Sequence, residues 1–226
     1  MRILALDAST EACSAALLVD GRLLERYEEL RLGHAERILG MVEELLAEGG
    51  LALSSLDGIA AGIGPGAFTG VRISVSVAQG LAFGADLRVA PVSTLEALAA
   101  PAIGGAPVLA CLDARMREVY WGCFRADAVR GLAATSPPRV GAASTVRPPV
   151  GAVYRGIGRG FAAYPELAAI PGIEVSPADA LALPRAGAIA RLGAIRFARG
   201  ESVDPAAVEP LYLRDKVALT EAERGV

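Results

Sequence analysis

The sequence predicts an α/β protein of two lobes, the second reduced, and three observations carry that reading. Residues 1–103 alternate strand-like and helix-like stretches in the order βββαβαβα; a weaker copy of the opening strands follows Gly104-Gly105; between 127 and 150 proline and glycine become frequent while periodicity fades. The expected lobes are therefore 1–103 and 104–226. No low-complexity linker divides them, which predicts a shared interface.

Each element follows from local pattern. RILALDAS and CSAALLVD are short apolar runs separated by the polar turn Ser9-Thr10-Glu11, and GRLLERYEEL follows Asp20-Gly21, the signature of three antiparallel strands. From His34 the period lengthens: Ile38, Leu39, Met41, Val42, Leu45 and Leu46 share one side of a helix that ends at Gly49-Gly50. Their stripe covers roughly 160°, wider than the ~100° that contact with a sheet requires. LDGIAAGIG reads as a buried strand, GPGAFTG as a turn, and residues from about 68 to 84 as a second helix. RVAPVS is a strand, and STLEALAAPA opens at an N-cap, Ser93 or Thr94, and closes before Pro101. In the second lobe PVLACLDAR and EVYWGCFRA read as paired strands. Helices are expected at 161–170 and 186–199, ahead of the tail VEPLYLRDKVALT.

Composition narrows the class. Hydrophobic residues make up 53 %, much of it Ala, and no apolar run approaches the ~20 residues of a membrane span. Asp7 interrupts the first apolar run before a secretory core is complete, so the expected location is the cytoplasm, with no membrane contact. Cys13, Cys111 and Cys123, odd in number and set in apolar runs, read as reduced core thiols. Residues 1–100 carry 7 basic and 13 acidic side chains, residues 101–200 carry 12 and 6. The second half is thus basic, and its arginines read either as scattered solvated groups or as a contributory RNA face.

The motifs are poor in catalytic hardware. Asp7, beside Ser9 and Thr10, stands where a phosphate-binding hairpin would use a carboxylate to hold hydrated magnesium, yet Asp-x-Ser-Thr is also ordinary turn chemistry. Gly64 and Gly66 flank Pro65 and allow a sharp reversal whose amides would point at an anion near the helix start. The phosphate-reaching lysine is missing, Lys216 being the only lysine, and the glycine spacing misses the dinucleotide fingerprint by one residue. One histidine, His34, and three separated cysteines give no clustered metal set and no Ser/His/Asp arrangement; His34 itself reads as a surface or interface residue at a helix start. The helix after the loop is apolar on every side: Val71, Ile73, Val75, Val77, Leu81 and Phe83 alternate with small Ser74, Ser76, Ala78, Gly80, Ala82 and Gly84. Such a helix is either sandwiched within the chain or covered by a partner.

MRILALDASTEACSAALL, HAERIL, GPGAFTGVRISVSVAQGLA, APVSTLEALA, LDARMREVYWGCF and VEPLYLRD, in this order, closely resemble the TsaB (YeaZ) family, bacterial partner proteins in forming threonylcarbamoyladenosine (t6A) beside the tRNA anticodon. The resemblance runs from residue 1 to about 217 and is thin over 127–185. It implies the two-lobed, ribonuclease H-like fold of actin, the sugar kinases and the heat-shock ATPases. It implies kinship with TsaD, the catalytic subunit, whose metal is held by a His-x-x-x-His pair. Thr94 and Leu98 stand at those places here, which implies a non-catalytic chain without intrinsic cofactor and gives no support to an older glycoprotease label. The implied partners are TsaD, the ATPase TsaE, a second copy of the chain when alone, and tRNA indirectly, with room for ATP or ADP at the partner interface. Expected contacts lie on the two first-lobe helices: Ile38, Met41, Val42, Leu45, Val71, Val75 and Leu81, with His34, Arg37, Arg72 and Gln79 at the polar margin. Ser74 departs from the glycine of many relatives and is expected to tighten or shift that helix contact. The rival expectation is an active ATP-hydrolysing or kinase-type enzyme, with Asp7, Ser9, Thr10 and the loop from Gly64 to Gly70 around a phosphate.

Overall fold

The computed structural model describes residues 1–214; Lys216 and the end of the expected tail lie outside the described residues. The first sheet has the order β3-β2-β1-β4-β5, built from β1 (Arg2–Asp7), β2 (Ala12–Val19), β3 (Arg22–Glu29), β4 (Gly58–Gly62) and β5 (Val89–Val92). The first three strands form the expected antiparallel meander, while β4 and β5 join in parallel after the helices α1 (His34–Gly49) and α2 (Phe68–Ala85). Strand side chains alternate, so β1 sends Leu4 and Leu6 toward α1 and α2, and Ile3 and Ala5 to the opposite face.

The short α3 (Thr94–Ala99) leads into the second sheet, of order β11-β10-β6-β7-β8, with β9 also on β7. Its strands are β6 (Val108–Asp113), β7 (Glu118–Asp127), β8 (Gly131–Ala134), β9 (Arg139–Ala142), β10 (Tyr154–Ile157) and β11 (Ile173–Glu174). The stretch over 127–150 therefore holds two four-residue strands, too short and too glycine-rich to show a period of two. The helix expected at 161–170 is shorter: α4 (Gly160–Ala163) gives way at Pro165 to a 3-10 turn, because proline cannot continue the ladder. Then come α5 (Pro177–Ala180) and α6 (Ala186–Ala198), the latter as expected.

The two lobes exchange helices. Leu95 and Leu98 of α3 leave the first sheet and pack in one core with Val108, Ala110 and Phe124 of the second. Conversely α6, encoded after the second sheet, returns to the open face of the first, where Ile189 and Ala190 join Ile3, Ala5, Ala60 and Ala90. Close approach explains its small residues: a Cβ on Gly193 would collide with the Ala60 methyl, and one on Gly58 with the Phe197 ring. Polar ties fix the docking. The Ala186 amide donates to Ser14 Oγ at 3.0 Å, the Gly187 amide to Glu25 at 2.7 Å, and Arg185 donates to Glu25 at 2.8 Å. A boundary at 103/104 marks where the second sheet's segment begins, while packing crosses it in both directions.

After α6 the chain returns along the first lobe. Val203 exchanges backbone hydrogen bonds with Val89 at the free edge of β5, the Gln79 side chain donates to the carbonyls of Pro205 and Val208, and the Leu211 amide donates to Ile63 O at 2.7 Å. Among the described residues no helix is long and apolar enough to cross a membrane. Cys13, Cys111 and Cys123 are buried and unpaired, and burial pushes the Cys123 thiol up to about 12.

Candidate functional site

The glycines of GPGAFTG serve packing between two loops. A Cβ on Gly66 would collide with the Ser9 carbonyl oxygen and one on Gly70 with that of Ala8, so both glycines let α2 start against the β1–β2 hairpin. The Ala67 amide is already spent, donating to Ser9 O at 2.7 Å. Gly64, at φ 98°, turns the chain so that its carbonyl accepts from the Thr94 amide at 2.8 Å. The loop thus grips the protein's own backbone where a phosphate cradle would present free donors.

Asp7 is fully buried beneath this junction. Its Oδ1 accepts from the Ser9 amide at 3.0 Å and the Ser74 hydroxyl at 3.4 Å, while Oδ2 has no partner. Ser74 Oγ in turn accepts from the Ala8 amide at 2.7 Å. Burial disfavours the charged carboxylate and, against the lowering effect of the Ser9 and Ser74 hydrogen bonds, raises Asp7 to about 6. Of the expected set Asp7, Ser9, Thr10, Gly64 and Gly66, the structure brings Asp7, Ser9 and Gly66 together, while Gly64 packs against Val71 and the Leu211 carbonyl. The fold seals Asp7 and Gly64 away from the neighbouring cleft, and only Ser9, Thr10 and Gly66 of that set line it. The Ser9 hydroxyl meets Thr94 Oγ1 at 3.0 Å, and Leu98 lies in the interlobe core. Among the described residues no group of three or more His, Cys, Asp or Glu is placed to hold a metal ion.

The cleft between the lobes has a volume of about 460 Å³ and is walled by the Ser9–Glu11 turn, the start of α2, the β6–β7 turn and the segment Leu211–Arg214. Most of its arginines are committed. Arg115 pairs with Asp113 at 2.9 Å and reaches across the lobes to Glu11 at 3.1 Å; Arg159 pairs with Glu29 at 2.5 Å; Arg214 pairs with Glu118. Arg115, Met116 and Arg117 all adopt left-handed backbone, a tight tip held by the Arg115 amide donating to Asp113 at 2.8 Å. His34, at the start of α1, faces the Thr10 carbonyl at 3.0 Å on the cleft wall.

The helix contacts expected from periodicity need correction. Ile38, Met41, Val42 and Leu45 of α1, and Val71 and Val75 of α2, are buried within the chain; all but Val71 share one core with Leu4, Leu6, Leu17 and Ile59. The α1 stripe is wide because it packs on β2, β3 and α2 together, which leaves those side chains nothing to offer a partner. Leu81 is half-buried against the same core. Gln79 is spent on the returning chain, and Arg37 is held by Glu28 and Glu44, each at 2.7 Å. Ser74 also points inward, so it tunes the Asp7 junction and makes no contact outside.

What α2 leaves open is a different face. Phe68, Thr69, Arg72, Ser76, Gly80, Phe83 and Gly84 are exposed, and Ile73 and Val77 half-buried, at the three- and four-residue spacing of one helical stripe. Phe68 is 49 % and Phe83 61 % exposed, large values for phenylalanine. At Gly80 and Gly84 an added Cβ meets nothing within 4 Å. The two rows of small residues separate: Ser74, Ala78 and Ala82 turn to the core, Ser76, Gly80 and Gly84 to the outside. A shallow groove runs beside Arg72, Ser76 and Val77, with Ala35 of α1 as its far wall. Periodicity alone could not choose between these two apolar sides.

Comparison with known proteins agrees with this architecture. A family model described as TsaD, tRNA N6-adenosine threonylcarbamoyltransferase, matches residues 28–144. The chain is 38 % identical to tRNA threonylcarbamoyladenosine biosynthesis protein TsaB of Escherichia coli (strain K12), over 96 % of this chain and 96 % of that one. It is 37 % identical to TsaB of Haemophilus influenzae, over 96 % and 95 %. The solved structure of YeaZ from Pseudomonas aeruginosa is 43 % identical and covers 94 % of this chain and 99 % of its own, with a TM-score of 0.86.

Proposed function

The chain belongs to the TsaB family of tRNA threonylcarbamoyladenosine biosynthesis proteins, and from that premise we propose that it is a non-catalytic subunit which docks through α2 onto TsaD and holds that enzyme competent to modify tRNA. The observation that carries this reading is the open stripe of α2. An apolar helix face with two exposed phenylalanines and two glycines under open space is costly to leave in water.

The stripe also has a register. Counting from Ser76, Arg72 lies four residues before and Gly80 four after, Phe68 eight before and Gly84 eight after. An antiparallel helix of like pattern, crossing at Ser76, would set Arg72 against Gly80 and Phe68 against Gly84, with Phe83 over Thr69. A paralogue such as TsaD, or a second copy when the chain is alone, offers such a helix. The sealed Asp7, the paired arginines of the cleft, and Thr94 and Leu98 in the core support a role in binding without chemistry or a cofactor of its own. TsaE, ATP or ADP and tRNA then enter through the assembled complex.

Gly80→Trp tests the docking face, because the space above Gly80 is open and the fold has no reason to resist. Size exclusion with light scattering, on the chain alone and mixed with TsaD, should show loss of both the homodimer and the heterodimer with unchanged circular dichroism. Persistence of both assemblies would refute α2 as the docking face. ATP turnover by the isolated chain that disappears in Asp7→Ala would refute the non-catalytic role.

A further inference from the structure

Within the open stripe, one charged side chain is held in place with no acidic partner among the described residues. The Arg72 guanidinium carbon lies 3.7 Å from the centre of the Phe68 ring, and its Nε donates to Tyr212 Oη at 3.0 Å. Tyr212 stacks on Phe68 with ring centres 5.8 Å apart. Two side chains from segments far apart in sequence, Phe68 and Tyr212, thus fix one guanidinium on an exposed helix face. Arginine ordinarily loses rotamer freedom when it is immobilised. Here the free chain has already met much of that cost.

Among the described residues no carboxylate lies within 4.0 Å of Arg72, and its two terminal nitrogens donate to none of them. Arg37 of α1 and three of the four arginines that line the cleft, Arg115, Arg159 and Arg214, each hold an acid, while Arg31 on the cleft wall pairs with none among the described residues. Arg72 is also the only charge on the open stripe of α2, in a half of the chain with 13 acidic and 7 basic residues. A planar fork of donors, aimed outward beside a groove of small and apolar residues, matches a carboxylate bidentately. The acidic surroundings would repel that carboxylate at other points of the lobe, which makes the site a determinant of register as well as of affinity.

Resting on the docking reading above, we propose that Arg72 is the polar anchor of the interface: its terminal nitrogens receive an Asp or Glu side chain of TsaD in a two-pronged hydrogen bond, and Tyr212 positions the fork. Calorimetric titration of the full chain with full-length TsaD tests this. Arg72→Ala should weaken binding about ten- to a hundred-fold and flatten the dependence of Kd on salt. Arg72→Lys, which keeps the charge and loses the fork, should recover only part of the loss. Tyr212→Phe should weaken binding a few-fold with the arginine intact. One Asp→Asn or Glu→Gln change on TsaD should reproduce the Arg72→Ala loss and fail to add to it. If Arg72→Ala binds as tightly as the parent while Gly80→Trp abolishes binding, the anchor is refuted and the docking face stands. If neither change matters, the docking face itself is refuted.

Discussion

Replacing the sealed acid, Asp7→Asn, asks whether this residue is a working carboxylate or a buried plug. Burial holds the folded-state pKa near 6 against an ordinary 3.8, so the folded chain takes up a proton more readily than the unfolded one. Stability from this group is therefore present in full below the unfolded value and is lost as pH rises through about 6. At about 1.36 kcal/mol per pKa unit the full effect is about 3 kcal/mol, of which about 2 kcal/mol falls between pH 8 and pH 4.5. Asparagine does not titrate and keeps an oxygen for the Ser9 amide. Its amide nitrogen would lie where Oδ2 now lacks a partner, which adds a constant offset at every pH. Carboxylates held low, such as Asp127 by its turn amides and Asp179 by Arg155, lose their contribution in acid equally in both proteins. Urea denaturation of both proteins at pH 8 and 4.5 should thus show the parent gaining about 2 kcal/mol on Asp7→Asn as pH falls. Parallel stability profiles would refute the account of a sealed, desolvated acid. A plug also predicts that Asp7→Asn still assembles with TsaD.

Ser74→Ala removes the acceptor for the buried Ala8 amide and a donor to Asp7, and should cost about 1–3 kcal/mol in denaturant while leaving TsaD affinity unchanged, because the hydroxyl faces inward. Gly193→Val forces side-chain atoms between α6 and β4, where a single Cβ already collides with Ala60; a loss of roughly 1–3 kcal/mol, or about 2–4 °C in Tm for each, should appear by calorimetry.

Much of the first lobe was legible because its elements are long and each has a single clear period. The meander declares itself by two polar turns, α1 begins at His34 and ends at paired glycines, and α2 begins at Phe68 as expected. The second lobe was less legible for a physical reason: β8, β9, β10 and β11 have two to four residues each, too few to display alternation, and take their conformation from pairing with distant strands. For the helices named as the docking site, their place in the chain was legible and the direction of their side chains was not. Both helices were identified, but Ile38, Met41, Val42, Leu45, Val71 and Val75 face the chain's own core, since a hydrophobic stripe records burial without saying against what. The exposed face is instead marked by glycine and serine at 76, 80 and 84, whose meaning depends on which way the helix is turned. Ser74 stands out in the sequence only as a departure from glycine and Gly62 not at all; only the fold brings both against the carboxyl group of Asp7.

The exchange of helices between lobes bears on how the chain is made. A ribosome that has delivered strands β1 to β5 has produced a sheet with one face bare, because the helix that covers it is encoded about a hundred residues later. At about 5–20 residues per second, that face waits for several seconds or longer before α6 emerges. Nascent chains should therefore present an apolar surface to chaperones during synthesis, and native structure should come in one late step, when the closing helix settles and fastens both sheets together.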